Sequence, residues 1–286
     1  MILVTGATGT TGGATVQALA DAGVEARALV RDPSKFTAPA GIEVVTGSFD
    51  DAASLDAALD GVSHAYLVLP ASPEQVELET AFVDAAVRAG VEHLVLLSVI
   101  GADDEGSEAL RFGRAHRAAE KAVRESGLQW TFLRPNGFLQ NYLGQAASIS
   151  GQGVFYSALT AGAAVSHVDA RDIGEVAAKA LSEPGHAGQA YALTGPEALT
   201  DDDIAARLSA VLGRTVEHVT IPPEAQREAM LGMGIPEWTV DGLGELYAFY
   251  ETGIAGGVAP DIERVLGRPA RSVDDFAADH RAAFGA

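Results

Sequence analysis

The chain opens with a short apolar run, Ile2 to Val4, that passes directly into Thr5-Gly6-Ala7-Thr8-Gly9-Thr10-Thr11-Gly12 and then into a segment with helical spacing through Val16, Leu19 and Ala20. A buried strand, a turn with glycine at three-residue intervals and an amphipathic helix form the start of a βαβ unit. Each glycine has a steric task. Gly6 permits the tight turn, Gly9 lets the backbone approach a bound group, and Gly12 lets the helix lie close to the strand. The first N–H groups of a helix have no partner within it, and they favour an anion there; in this motif the anion is the pyrophosphate of a dinucleotide. Thr8, Thr10 and Thr11 add hydroxyl donors.

The rest of the first half keeps the same rhythm. Apolar runs at Glu25–Val30, Glu43–Thr46, Ala65–Leu69, His93–Ser98 and Trp130–Arg134 are continuous rather than alternating, as strands covered by helices on both faces must be. Segments such as Phe82, Ala85, Ala86 and Ala89 lie between them with helical spacing. The expected fold is α/β: a Rossmann-type doubly wound parallel sheet with right-handed crossovers and a smaller C-terminal substrate lobe. Residues 1–135 are expected to form the dinucleotide-binding core. Residues 136–286 should complete that core and build the lobe. In this second part the sequence suggests a helix over Gly137–Ser148, short strands near Val154 and Val165–Val168, and a helix beginning at Asp169-Ala170-Arg171-Asp172. A further helix, capped by Thr200, should end near Leu212-Gly213, followed by a helical flap from Pro222 to Gly257.

The strand ends nominate further cofactor contacts. The second strand finishes at Val30 and is followed by Arg31-Asp32-Pro33-Ser34-Lys35. An acidic residue at that strand end suits the ribose hydroxyls of NAD, whereas a guanidinium complements a 2′-phosphate. Arg31, with Lys35 nearby, makes NADP(H) the preferred cofactor and leaves NAD(H) possible through Asp32. Phe49 and Asp50, after the third strand, and Leu69 and Pro70, after the fourth, fall where an adenine and a nicotinamide ribose are bound in this topology.

Composition narrows the function. A formal charge of −20 argues against a nucleic-acid partner, because phosphate affinity rests on Lys and Arg. The chain has no cysteine, which removes disulfides, thiolate metal sites and cysteine nucleophiles. Its seven histidines are scattered without ligand spacing, so no metal site is expected. The N-terminus lacks the pattern of a signal peptide and no apolar run suits a membrane helix, so a cytoplasmic location is expected.

Taken together, these residues resemble the NmrA-like group of atypical short-chain dehydrogenase/reductases, which includes an NAD(P)H:quinone reductase type, isoflavone-type reductases and redox-sensing regulators without catalysis. The cofactor loop at Gly6–Gly12, the turn Val30–Lys35, the stretch Ser126–Phe138 and the later landmarks His167–Gly174 and Leu266–Pro269 carry the resemblance. By that resemblance Pro135 and Asn136, after the sixth strand, join the cofactor set, and Ser98 stands where the superfamily keeps a hydroxyl near the nicotinamide. The superfamily's Tyr-x-x-x-Lys pair is replaced by Phe112 and His116. Phenylalanine donates no proton, so His116 becomes the catalytic candidate, as an acid or a ribose donor. A quinone, which becomes aromatic on reduction, tolerates this loss better than a simple ketone. Phe138, Tyr142, Phe155, Tyr156 and Trp238, with Tyr247, offer aromatic walls for a flat small-molecule substrate. The expected function is an NAD(P)H-dependent oxidoreductase acting on quinones or polycyclic aromatics. A tailoring oxygenase or other redox enzyme of aromatic metabolites, and a non-catalytic NAD(P) sensor, are the alternatives. The oligomeric state is not legible.

Overall fold

The computed structural model describes residues 1–104 and 107–286. In chain order the elements are β1 (Ile2–Val4), α1 (Thr10–Asp21), β2 (Ala26–Val30), β3 (Ile42–Thr46), α2 (Ala52–Leu59), β4 (His64–Leu67), α3 (Gln75–Ala89), β5 (His93–Leu97), α4 (Arg111–Glu125) and β6 (Gln129–Pro135). After β6 come α5 (Ala146–Gln152) and β7 (Val154–Ser157), then α6 (Ala170–Ser182) and β8 (Gln189–Leu193). The remainder is α7 (Asp201–Leu212), β9 (Glu217–Thr220), α8 (Pro223–Gly232), α9 (Glu237–Tyr250), α10 (Asp261–Leu266) and α11 (Val273–Asp279).

The chain divides into two compact units. The first comprises Met1–Pro135, Ala170–Leu193 and Arg264–Gly267; the second comprises Asn136–Asp169, Thr194–Glu263 and Arg268–Ala286. The first unit holds a seven-stranded sheet in the order β3-β2-β1-β4-β5-β6-β8, with every pairing parallel. The order reverses at β1, so the crevice beyond the carboxyl ends of β1 and β4 is the place where such sheets bind ligands. Leu3, Leu67, Leu94, Leu96 and Phe132 from the sheet pack with Leu55, Leu59, Phe82 and Val123 from α2, α3 and α4 into one apolar layer. On the other face α1 and α6 meet very closely: a Cβ on Gly174 would stand 2.5 Å from the backbone of Ala14.

The apolar pattern did not nominate β9 in the second unit, nor, in the seven-stranded sheet, β8. β8 lies at the sheet edge, where Gln189 and Ala190 are exposed, and so carries no continuous apolar run. The second unit has its own core, in which Leu139, Ile149, Ile204, Leu208 and Phe276 pack together, and a two-stranded parallel sheet of β7 and β9. The helix expected over Gly137–Ser148 is instead a 3₁₀ segment, Leu139–Gln145, followed by α5. The strand expected at Val165–Val168 is reduced to two isolated bridges, Phe138 with Val168 and Val165 with Leu199. Short apolar runs mark burial, and here the backbone finds only single-residue partners. α7 has the expected Thr200 cap, reinforced as a capping box by Asp203, and ends at Gly213 in the left-handed conformation, φ 70°. Among the described residues, no helix is long and apolar enough to cross a membrane.

Candidate functional site

The glycine loop leaves β1 through Gly6, whose φ of +60° is open to glycine and costly for other residues. Thr5 fastens the turn to β4: its hydroxyl donates to the carbonyls of Tyr66 and Val68 at 3.0 and 3.1 Å, and it accepts from the Val68 N–H at 2.8 Å. A Cβ on Gly12 would stand 2.2 Å from the Gly6 carbonyl oxygen, so only glycine allows α1 to lie this close to the loop. Gly9 differs. Its backbone is extended, φ −94° and ψ 180°, and a Cβ there would meet only the Gly6 carbonyl oxygen, at 3.2 Å. A side chain at position 9 would press on that carbonyl, so the loop would have to give by a few tenths of an ångström, far less than at position 12.

The start of α1 is left open. Gly9 is its N-cap, no side chain caps it, and its first turn holds no acidic residue. Asp51 caps α2, Thr200 caps α7 and Ser272 caps α11, whereas α4 and α5 share an uncapped, acid-free start but follow no glycine turn from a strand. A helix N-terminus with unused N–H groups and no neighbouring carboxylate fits a phosphate anion. Thr8 and Thr10 are exposed beside it, while Thr11 is buried and its carbonyl accepts from the Thr15 hydroxyl at 2.9 Å.

At the end of β2, Arg31 is exposed and makes no ion pair with any described residue. Asp32, which follows it, is occupied. Its Oδ1 accepts from the Ser34 N–H at 3.0 Å and the Ser34 hydroxyl at 2.6 Å, and Lys35 pairs with it at 3.5 Å. These bonds hold the Asp32 carboxyl below the usual carboxylate range. Asp50 is exposed and is likewise held low, first by the Ser48 hydroxyl and more weakly by Arg31. Phe49 packs against the core with its ring 5.5 Å from Phe82. Leu69 is half-buried against the same core and Pro70 is exposed.

The second part of the site lies under β5 and β6. Ser98, buried at the end of β5, donates to Glu120 Oε1 at 2.6 Å. Glu120 projects from α4 with no exposure and takes a two-pronged bond from Arg134 on β6, Nε to Oε1 at 2.8 Å and Nη2 to Oε2 at 2.7 Å. Arg124 adds a contact at 3.0 Å, and Asp103 meets the far side of Arg134 at 2.8 Å. One turn before Glu120 stands His116, half-buried, with a buried Nδ1 that has no hydrogen-bond partner. Burial pushes its imidazole down to about 4, against the pull of the Glu120 charge. Phe112 is half-buried one turn earlier on the same helix. Sequence reasoning passed over Glu120, Arg134 and Thr5. The only signal for Glu120 was its place four residues after His116, and its basic neighbours made that stretch look like a solvated helix face.

In the second unit, Pro135 gives way to Asn136, whose amide is fully engaged locally. It donates to Ser166 Oγ at 2.9 Å and the Ala255 carbonyl at 2.8 Å, and accepts from Gly137 N at 2.9 Å. Tyr142 and Phe155 lie in the core of the second unit, their rings 5.3 Å apart, with the Tyr142 hydroxyl donating to Asp201 at 2.5 Å. Phe138 and Trp238 are half-buried and Tyr156 is exposed.

The architecture and the loop have known counterparts. An NAD(P)H azoreductase from Xenophilus azovorans is 43% identical over 288 residues, covering 100% of both chains. A (4-alkanoyl-5-oxo-2,5-dihydrofuran-3-yl)methyl phosphate reductase from Streptomyces griseus is 40% identical, covering 99% of both. The crystal structure of an NADPH-dependent quinone oxidoreductase from Escherichia coli, complexed with NADPH, superimposes with a TM-score of 0.85 at 28% identity, covering 98% of this chain and 99% of that one. The model of the NmrA-like family matches residues 1–275. With its glycine loop, parallel sheet and open α1 terminus, the chain belongs to the NmrA-like family.

Proposed function

We propose that the protein is an NAD(P)H-dependent oxidoreductase that prefers NADPH and reduces quinones or similar conjugated aromatic molecules. The observation that carries this reading is the loop from β1 into α1, in which Gly6 takes a positive φ and Gly12 lets the helix lie against it, so that the uncapped, acid-free start of α1 follows a glycine turn at the sheet's switch point. The loop N–H groups with Thr8 and Thr10 would hold the pyrophosphate, and Arg31 the 2′-phosphate. Asp32, already bonded to Ser34 and Lys35, is poorly placed to serve a ribose instead. The azoreductase and quinone oxidoreductase relatives support the choice of substrate class.

NADPH, when bound, supplies a hydride. The residues of this chain position the reactants and leave proton supply to solvent. Phe112 stands where the superfamily's tyrosine acid would be and donates nothing. An imidazole titrating near 4 is protonated in about one molecule per thousand at pH 7, so His116 acts as a neutral hydrogen-bonding group rather than a cationic acid. Its orphan Nδ1 suits a ribose hydroxyl. Reducing a quinone takes up one hydride and one proton, and the product's aromaticity lowers the demand for a strong acid; a simple ketone has no such compensation. A cysteine-free chain that draws on NADPH fits the cytoplasm. The test is NADPH depletion against a panel of naphthoquinones, azo dyes and aliphatic ketones. Turnover with the first two and none with the ketones is expected. Tight NADPH binding with no turnover of any acceptor would overturn the reading in favour of a sensor.

A further inference from the structure

The second unit contains a cavity of about 530 Å³, a size typical of small-molecule sites, between α8 and α9. None of its lining residues belongs to the glycine-loop site. Its walls are two helix faces. Pro223, Arg227 and Met230 recur at helical spacing on α8; Val240, Gly244 and Tyr247 do so on α9, and Ala248 widens the gap. Paired helices ordinarily close such a gap with interlocking side chains. Here the α9 face is notched: a Cβ on Gly244 would meet nothing within 4 Å.

The chemistry of the lining selects a guest. Met230 and Tyr247 offer a polarisable thioether and a ring face, both suited to a flat aromatic system. Burial holds the Tyr247 phenol above its ordinary value, so its hydroxyl keeps its proton and is a donor. Three carboxylates, Glu224, Asp241 and Glu251, line the cavity against a single guanidinium, Arg227. That guanidinium is already paired with Glu237 at 2.6 Å and Asp241 at 3.1 Å. A bound anion would face this excess of negative charge in a chain of net charge −20.

We propose that the α8–α9 cavity is a binding site for flat aromatic molecules that are uncharged or cationic. The aromatic class rests on the oxidoreductase reading above; the site itself rests on the cavity and its charge. Binding is measured by quenching of tryptophan fluorescence, with 2-(hydroxymethyl)anthraquinone as the uncharged probe and anthraquinone-2-sulfonate as its anionic counterpart. The uncharged probe should bind the wild type at least tenfold more tightly than the sulfonate. Gly244→Phe, whose Cβ meets nothing within 4 Å and which raises helix propensity, should weaken it by tenfold or more while leaving the NADPH dissociation constant and thermal unfolding unchanged. Ala248→Trp should repeat the loss. Equal binding of the uncharged probe by the wild type and both filled variants would overturn the site. Equal affinity for the two probes would overturn the charge argument. If these binding results hold while no acceptor is reduced, the oxidoreductase reading fails and the aromatic site stands.

Discussion

At position 120 a carboxylate with no exposure binds a serine and two arginines, and this arrangement fixes what its neighbours do. Ser98 cannot point its proton elsewhere while Glu120 accepts it, and the ends of β5 and β6 are tied to α4. Glu120→Gln keeps the shape and removes the charge, leaving the largely buried Arg134 with the exposed Asp103 as its one acid among the described residues. We expect a loss of about 3 kcal/mol in denaturant unfolding, the usual scale for breaking a buried ion pair. His116 gives a second expectation. Because its imidazole titrates near 4, turnover should show no inflection from His116 between pH 5.5 and 8. His116→Ala should lower turnover roughly ten- to a hundredfold across that range, the scale of one lost positioning hydrogen bond, without changing the profile's shape. An inflection near pH 6.5 that vanishes in the variant would mean that the imidazole titrates as a free one. For Arg31→Ala, titration should show NADPH binding weakened by about tenfold, one charge-assisted contact, with NADH affinity nearly unchanged.

On the proposed reading, cofactor binding is decided by the turn from β1 into α1, and its glycines separate the demands of the fold from those of the ligand. Gly12→Ala places a methyl 2.2 Å from the Gly6 carbonyl, so α1 must move off the loop; melting temperature and NADPH binding should fall together. Gly9→Val should lower the melting temperature less than Gly12→Ala, through its 3.2 Å contact with the Gly6 carbonyl, and should abolish NADPH binding, because the side chain would stand where the proposed pyrophosphate lies. Calorimetry and cofactor titration on the same two variants check this. A similar logic applies to α6: Gly174 is the close-approach residue of the α1–α6 crossing, which gives the His167–Gly174 landmark a packing reason.

Across the whole molecule, stability should depend on pH through buried groups of opposite sign, of which His93 and Glu79 show the two directions; His116 shares the direction of His93. His93, bonded to the Thr131 hydroxyl at 2.8 Å, is pushed by burial down to about 4 from an ordinary 6.5. Between those values the unfolded chain holds the extra proton, so stability is lost as pH falls from 6.5 towards 4. Glu79, buried on α3 with Gln75 Nε2 donating to it at 3.2 Å, is pushed by burial up to about 8 from 4.5. Here the folded chain holds the extra proton, so this contribution is complete below pH 4.5 and is lost as pH rises towards 8. The melting temperature should therefore peak between these limbs. Glu79→Gln, which mimics the neutral acid, should reduce the decline between pH 6.5 and 8. An unchanged decline would show that Glu79 is ionised in the folded protein.

The N-terminal strand, the spacing of Gly6, Gly9 and Gly12 and the alternation of apolar runs with helical segments determined the parallel sheet and the place of the cofactor loop. These are local properties: a strand, a turn and a helix each carry their own period and steric demands in consecutive residues. The place of Arg31 directly after a strand end was legible for the same reason, while its part in binding a 2′-phosphate stands as proposed. The tertiary structure alone decided which polar residues are buried together. Glu120, Ser98 and Arg134 come from three separate elements, and nothing in the charged stretch around Glu120 distinguishes a buried carboxylate from a solvated one. It also decided that Tyr142 and Phe155 lie in the core of the second unit, while the cavity opens between α8 and α9. An aromatic side chain reads alike in a core and in a binding wall, and only the packing of distant segments settles which side of it is empty.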